Sequence, residues 1–285
     1  MDINCHTRLL AIIGNPLGHS LSPFMYNRLF DKRKLNCIYM PFEIQAVDLE
    51  KGLKSLQTLN FAGFNVTIPF KQMVIPFLDE LSEEAQACQA VNLVKNEGGV
   101  LKGYNTDGQG FVRGLIQAGI FPRGRTVFIG AGGAARSIAY EMARAGMLRV
   151  DFLDIDYLQA ETMAEFISSQ TGIPASAAVM NQAAFDRLAP DTDILINCSP
   201  VGMSPGVDAS PLASLEQIKK DAVICDIIYN PRQTKLLKMA ESHNLKTING
   251  LPMFINQALL TLEILLDESF AAAELEEAVA PHVKQ

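Results

Sequence analysis

The sequence lacks the marks of a disulfide-stapled, metal-binding or membrane-spanning chain. Its five cysteines, Cys5, Cys37, Cys88, Cys198 and Cys225, are odd in number and include no Cys-x-x-Cys pair. A disulfide framework is therefore not expected, and a reducing compartment fits the thiols better. No zinc spacing occurs, and His6, His19 and His243 lie far apart, so no metal is expected. No apolar run reaches membrane length, and residues Met1 to Leu10 do not have the shape of a signal peptide. A cytoplasmic location follows from these absences. The 24 basic residues fall short of the 31 acidic ones, giving a net charge of -7. That balance argues against nucleic acid or an anionic membrane as a partner. Charged residues make up 19% of the 285 residues and hydrophobic ones 48%. Such a chain can bury a sizeable core, and its length suits one large or two ordinary domains.

Short apolar runs alternate with helical periodicity. In the first half, Leu9 to Ile13, Asn36 to Phe42, Gly63 to Ile68 and Ala90 to Val94 read as strands. Ser22-Pro23 opens a helix to about Phe30, with Ser22 as expected N-cap, and Val47 to Leu56 reads as another. The rhythm restarts with strands at Arg125 to Ile129, Arg149 to Leu153, Ile194 to Asn197 and Ala222 to Ile227. Helices are expected over about Ala134 to Ala145, Tyr157 to Ser169 and Met253 to Leu266. Strands alternating with helices indicate an α/β protein with mainly parallel sheets. No internal repeat or low-complexity linker is present, and a boundary is expected near Asp107, where a polar loop precedes a helix.

The segment Gly130-Ala131-Gly132-Gly133-Ala134-Ala135 follows the Arg125–Ile129 strand and opens a helix. Small residues are what a dinucleotide site requires there. The first glycine permits a tight turn, the second lets backbone approach a pyrophosphate, and Ala135 lets helix pack on strand. The helix N-terminus would face the phosphates. The next strand ends at Asp154-Ile155-Asp156, where an acid ordinarily meets the adenosine ribose. Asp156 also reads as a helix cap.

Three polar clusters occupy the first half. In Gly14 to Pro23, Ser20 and Ser22 can converge on a carboxylate at a helix N-terminus, although alone the segment reads as an ordinary Ser-Pro cap. In Asn65-Val66-Thr67-Ile68-Pro69-Phe70-Lys71, Asn65 and Thr67 share a strand face and Lys71 follows the proline. Taken alone, Lys71 reads as a solvated charge. The third cluster, Asn105-Thr106-Asp107-Gly108, alone reads as a turn.

Together these segments resemble the shikimate dehydrogenase family over nearly the whole chain. The matching stretches, in order, are Gly14–Pro23, Gly63–Lys71, Ala90–Asn92, Gly103–Gly108, Gly130–Arg136, Asn197–Met203, Tyr229–Pro231 and Gly250–Gln257. The resemblance implies two α/β domains with the active site in the cleft between them. Residues 1–106, completed by C-terminal helices in 250–285, would form the substrate-binding domain. Residues 107–249 would form a Rossmann-like nicotinamide-binding domain. It further implies that Ser20, Ser22 and Tyr229 hold a substrate carboxylate, and that Thr67, Asn92 and Gln257 bind ring hydroxyls. Lys71 and Asp107 would carry the proton chemistry. Gly130, Ala131, Gly132, Gly133, Ala134, Asp154 and Gly250 would meet the cofactor.

The implied reaction is reversible hydride transfer between nicotinamide and a ring alcohol, shikimate. Such a reaction needs one group to move the hydroxyl proton, and Lys71 is the candidate. Family members that use NADP often carry Asn-Arg-Thr or Asn-Arg-Ser where this chain has Asp154-Ile155-Asp156. No arginine stands there to pair with a 2′-phosphate, so NAD is expected over NADP. The chain also lacks the tryptophan common in the C-terminal helix of relatives. Two rival readings stand beside this one: an enzyme acting on a related ring such as quinate, and a non-catalytic binding protein on the same fold. A small-molecule partner and a monomer or homodimer are expected.

Overall fold

The computed structural model describes residues 3–18 and 20–283. His19 of the first polar cluster and the two residues at each terminus lie outside the described residues. The chain begins with β1 (Arg8–Gly14), α1 (Ser22–Arg33), β2 (Cys37–Glu43), α2 (Leu49–Thr58), β3 (Gly63–Val66) and α3 (Phe70–Met73). It continues with β4 (Glu80–Leu81), α4 (Glu83–Cys88), β5 (Leu93–Glu97), β6 (Val100–Tyr104), α5 (Asp107–Gln117), β7 (Arg125–Ile129) and α6 (Gly133–Arg144). Next come β8 (Arg149–Asp154), α7 (Tyr157–Thr171), β9 (Ala175–Val179), α8 (Gln182–Leu188) and β10 (Ile194–Asn197). The last elements are β11 (Val223–Asp226), α9 (Lys235–Ser242), β12 (Lys246–Ile248), α10 (Leu251–Leu266) and α11 (Ala272–Val279).

Two compact units result. One comprises the residues up to Thr106 and Ala258–His282; the other is built on Asp107–Gln257. The chain re-enters the first unit within α10.

The first unit holds a six-stranded sheet in the order β2-β1-β3-β5-β6-β4. Strands β1, β2 and β3 run parallel, whereas β5 pairs antiparallel with both β3 and β6. The Asn-Glu-Gly-Gly segment makes the tight turn of the β5–β6 hairpin, with Gly98 and Gly99 both at positive φ. One face of this sheet buries Ala11, Ile13, Phe64, Val66 and Val94 against Leu49, Leu53 and Leu56 of α2 and Phe70 of α3. Helix α1 buries Met25, Tyr26, Leu29 and Phe30, a helical spacing that makes one apolar stripe. Its opposite side meets α11, where Arg33 forms a two-pronged bond with Glu274 at 2.6 and 2.7 Å.

The second unit is a six-stranded, all-parallel sheet in the order β12-β11-β10-β7-β8-β9. Its central strands β7, β8 and β10 are largely apolar on both faces, as strands covered on both sides must be. Phe128, Phe152, Ile194 and Ile196 pack on one face with α5, α6 and α7. Val127, Ile129, Leu195 and Ile224 pack on the other with α8 and α9. Phe128 and Phe152 sit 5.2 Å apart on adjacent strands. Strand order reverses at β7, and in doubly wound sheets the crevice beyond such a switch point is where ligands bind.

Candidate active site

In the first unit, topology gathers the polar clusters at one sheet edge. Ser20 and Ser22 follow β1, and Thr67 and Lys71 follow β3. Because β5 runs antiparallel, Asn92 just before it lies at the same edge, and so does the Asn105-Thr106 stretch after β6. Thr67 N–H donates to Ile13 O at 3.0 Å, which holds the Thr67 segment beside the end of β1. The carbonyl of Lys71 accepts from Val91 N–H at 2.7 Å, fixing the α3 turn against the segment that leads into Asn92. Asn92 is 3% exposed; its amide donates to Thr106 Oγ1 at 2.9 Å, and its carbonyl accepts from Thr106 N–H at 2.8 Å.

Ser22 is not the cap that the Ser-Pro pattern suggests. Leu21 takes the N-cap position in helical backbone geometry, without a side-chain cap bond, and Ser22 is the first helical residue. Its buried hydroxyl instead lies beside the phenol of Tyr39. That phenol donates to Asn65 Oδ1 at 2.8 Å, and Asn65 Nδ2 donates to Asn92 O at 3.1 Å. Burial holds the Tyr39 hydroxyl well above the usual phenol range, so it stays a neutral donor. A chain of buried polar groups thus links β2, β3 and the segment just before β5. Tyr39 has no motif around it, and only its place on an alternating strand pointed inward.

In the second unit, Asp107 opens α5 and is 6% exposed. One turn later, Gly110 lies so close to α10 that an added Cβ would stand 2.7 Å from Gln257 N and 2.9 Å from Gln257 Cβ. Gln257 is therefore held beside the first turn of α5. The Gln257 amide donates to Phe254 O at 2.9 Å, and the Phe254 ring stacks on Tyr229 at 4.6 Å. Gln257 is thereby held against α5, one turn from Asp107, and Tyr229 is held against α10 through Phe254.

The glycine-rich turn sits at the switch point, after β7. Gly130 has φ of +92°, a left-handed geometry that a side chain would strain. Gly132 N-caps α6 with no side-chain cap bond, and nothing lies within 4 Å of its Cβ position. Gly133 and Ala134 form the first turn of α6. This open, donor-bearing helix start fits the pyrophosphate of a dinucleotide. Ala131 N–H does not face outward; it donates to Asp154 Oδ2 at 2.7 Å, and Ala131 O accepts from Gln159 Nε2 at 3.1 Å. The other Asp154 oxygen accepts from Asp156 N–H at 3.0 Å. Asp156 caps α7 through bonds from Leu158 N–H and Gln159 N–H. Nearby, the Arg136 guanidinium lies 3.5 Å over the Phe166 ring.

Gly250 opens α10 and donates its N–H to Ile228 O at 3.0 Å. Any Cβ on Gly250 would collide with Ile227 O, so only glycine permits this approach. Neither Asp226 nor Asn197, which enters the sequence reading only as the first residue of a matching stretch, has an expected role; they pair at the ends of β10 and β11 with Asn197 Nδ2 donating to Asp226 Oδ1 at 3.1 Å. The available signal was an acid at the end of an otherwise apolar strand. Burial pushes the Asp226 carboxyl up to about 6, partly countered by bonds from Ile228 N–H, Thr234 and Asn197. Among the described residues no group of three or more His, Cys, Asp or Glu is placed to hold a metal ion. None of their helices is long and apolar enough to cross a membrane.

Comparison with known proteins agrees with this architecture. Residues 12–94 match the model of the shikimate dehydrogenase substrate binding domain. A shikimate dehydrogenase (NADP(+)) from Syntrophomonas wolfei subsp. wolfei is 51% identical over 94% of this chain and 92% of its own length. A crystal structure of shikimate dehydrogenase in complex with NADP+ superposes with a TM-score of 0.91 at 34% identity, covering 100% of this chain and 98% of that one. A shikimate 5-dehydrogenase from Listeria monocytogenes in complex with shikimate and NAD also gives 0.91, at 32% identity and 98% coverage of both chains. The expectation of NAD over NADP does not stand. The Syntrophomonas relative and others from 35% to 41% identical all carry the name shikimate dehydrogenase (NADP(+)). The physical reason lies in Asp154. Its carboxylate does not stand free to face the ribose: both oxygens are occupied by backbone N–H groups of the turn and of the β8–α7 connection.

Proposed function

The chain belongs to the shikimate dehydrogenase family, and on that premise we propose that it catalyses the reversible NADP-dependent reduction of 3-dehydroshikimate to shikimate. The observation that carries this reading is the gathering of Ser20, Ser22, Thr67, Lys71 and Asn92 at one edge of the first sheet. It is an edge rich in hydroxyl, amide and ammonium groups, suited to a small polyhydroxy acid. In this reading the first unit binds substrate and the second binds cofactor. The biosynthetic route to aromatic amino acids, in the cytoplasm, is the proposed setting.

The roles follow from what each group can do. Ser20 and Ser22 donate to the substrate carboxylate, and Tyr229 adds a third donor. Thr67, Asn92 and Gln257 read the ring hydroxyls through hydroxyl and amide groups that both donate and accept. The Lys71 ammonium donates a proton to the oxygen of the forming alcohol and, in the reverse direction, its neutral amine takes that proton back. Asp107 accepts a hydrogen bond from the substrate hydroxyl and keeps it aimed. Gly132, Gly133 and Ala134 at the start of α6 would hold the pyrophosphate, with Gly130 shaping the turn. The nicotinamide, when bound, supplies or accepts the hydride.

The test is a substrate panel: shikimate and quinate, each with NADP and NAD, followed at the nicotinamide absorbance. The reading expects the highest kcat/KM for shikimate with NADP. Turnover of quinate with no turnover of shikimate would replace it with the related-ring reading.

A further inference from the structure

We propose that Asp226 is the positioning residue for Tyr229, its carboxylate fixing both ends of the loop that carries that side chain. The inference rests on the reading above that Tyr229 contacts the substrate carboxylate. The loop from 228 to 234 leaves β11 immediately after Asp226. At its near end, Ile228 N–H donates to Asp226 Oδ1 at 3.1 Å. At its far end, Thr234 Oγ1 donates to Asp226 Oδ2 at 2.8 Å. The same carboxylate reaches sideways to Asn197, whose own Oδ1 accepts from Ser199 N–H and Oγ at 3.1 and 2.7 Å. Ile228, just before Tyr229, is thus gripped on both sides, its N–H by Asp226 and its carbonyl by Gly250. The Tyr229 ring then rests on Phe254.

The donors around Asp226 are an amide, a hydroxyl and a backbone N–H, and the side chain is 1% exposed. Burying a carboxylate among neutral donors costs folding free energy, and its upward displacement to about 6 reports that cost. An asparagine fills the same volume without the charge. A carboxylate offers two acceptor oxygens to three donors, whereas an amide offers one, so the isostere keeps the fold and loosens the grip.

The experiment measures steady-state kinetics and thermal stability of the wild type, Asp226→Asn, Tyr229→Phe and the double variant. Asp226→Asn should melt at or above the wild-type temperature at neutral pH. It should raise KM for shikimate by about tenfold with kcat changed less than about threefold. On the Tyr229→Phe background, its further effect on KM should fall below about twofold, because both changes remove one interaction. Wild-type KM in Asp226→Asn, or a full tenfold rise on top of Tyr229→Phe, would overturn the inference while leaving Tyr229 in its role. If Tyr229→Phe itself leaves KM unchanged, the role of Tyr229 fails, and this inference with it. A pH profile of the unaltered enzyme gives an independent reading should a variant not fold. KM for shikimate should rise as pH falls through about 6, since protonation removes the Asp226 charge. The titratable groups facing it, the Cys198 and Cys225 thiols, are pushed up by burial and by Asp226 itself and stay neutral there. A flat profile through that range contradicts the proposal.

Discussion

Asp154 Oδ2 accepts the backbone N–H of Ala131 at 2.7 Å, so the acid at the end of β8 holds the glycine-rich turn after β7 in shape. A hydrogen bond to a charged acceptor is worth about 1.5–3 kcal/mol, and Asp154 makes a second one to Asp156 N–H. Asp154→Ala should therefore weaken NADP binding by about tenfold or more through loss of the turn's shape. It should not convert the enzyme to NAD. Fluorescence titration of both cofactors checks this. Tighter NADP binding in the variant would show that the carboxylate repels the 2′-phosphate after all.

Ser20 and Ser22 occupy different surroundings, and their variants should differ accordingly. Ser22 is 7% exposed and lies beside Tyr39, whereas Ser20 is less buried. Ser20→Ala should raise KM for shikimate with little change in kcat or stability. Ser22→Ala should raise KM and also cost about 1 kcal/mol of stability, because its hydroxyl is buried beside the Tyr39–Asn65 hydrogen bond. Tyr39→Phe should reproduce part of the Ser22 effect on KM, because it removes the polar group beside that hydroxyl. Unchanged KM in both serine variants would move the substrate carboxylate elsewhere.

Much of this arrangement was legible in the sequence, and the limits are instructive. Continuous apolar runs located the strands from Arg125 to Ile129 and from Ile194 to Asn197 to the residue, because sheets covered on both faces have such strands. Strand β9, Ala-Ser-Ala-Ala-Val, was missed: its residues are small, only partly buried, and at a sheet edge where packing imposes little pattern. Strand β6, Val-Leu-Lys-Gly-Tyr, was missed because Lys102 and Gly103 break its short apolar run. The site motifs were visible as short polar clusters. Their connecting groups, Tyr39 and the Asn197–Asp226 pair, were not, since a long-range hydrogen bond leaves no local spacing to find. Asp154 was misread for the same reason: its backbone partner lies 23 positions away.

Asp226 also sets a pH dependence of stability. Its folded-state value is raised from 3.8 to about 6 by burial. The folded state thus binds the proton more tightly than the unfolded chain. The resulting stabilisation is fully present below about 3.8 and is lost as pH rises through about 6. The shift amounts to about 3 kcal/mol at most. Asp226→Asn should therefore gain up to that amount of stability relative to wild type at pH 7, with the gain shrinking toward zero near pH 4. Denaturant titrations of both proteins across that range check it. A variant less stable than wild type at every pH would mean that the three donors need the charge for folding itself.

Lys71→Ala should lower kcat by about 10²–10⁴-fold, the usual worth of a positioned acid or base, while moving KM far less. A near-normal kcat in the variant would take Lys71 out of the proton transfer and leave the binding residues untouched.

The central claim is hydride transfer from NADPH to the ring carbonyl of 3-dehydroshikimate, and isotopic labelling tests it most directly. The purified enzyme is given 3-dehydroshikimate and NADPH deuterated at the transferable C4 position of the nicotinamide, and the product is read by mass spectrometry and NMR. The account predicts shikimate carrying one deuterium, on the ring carbon that was the carbonyl. Consumption of neither reactant, or a product without deuterium at that carbon, would contradict it.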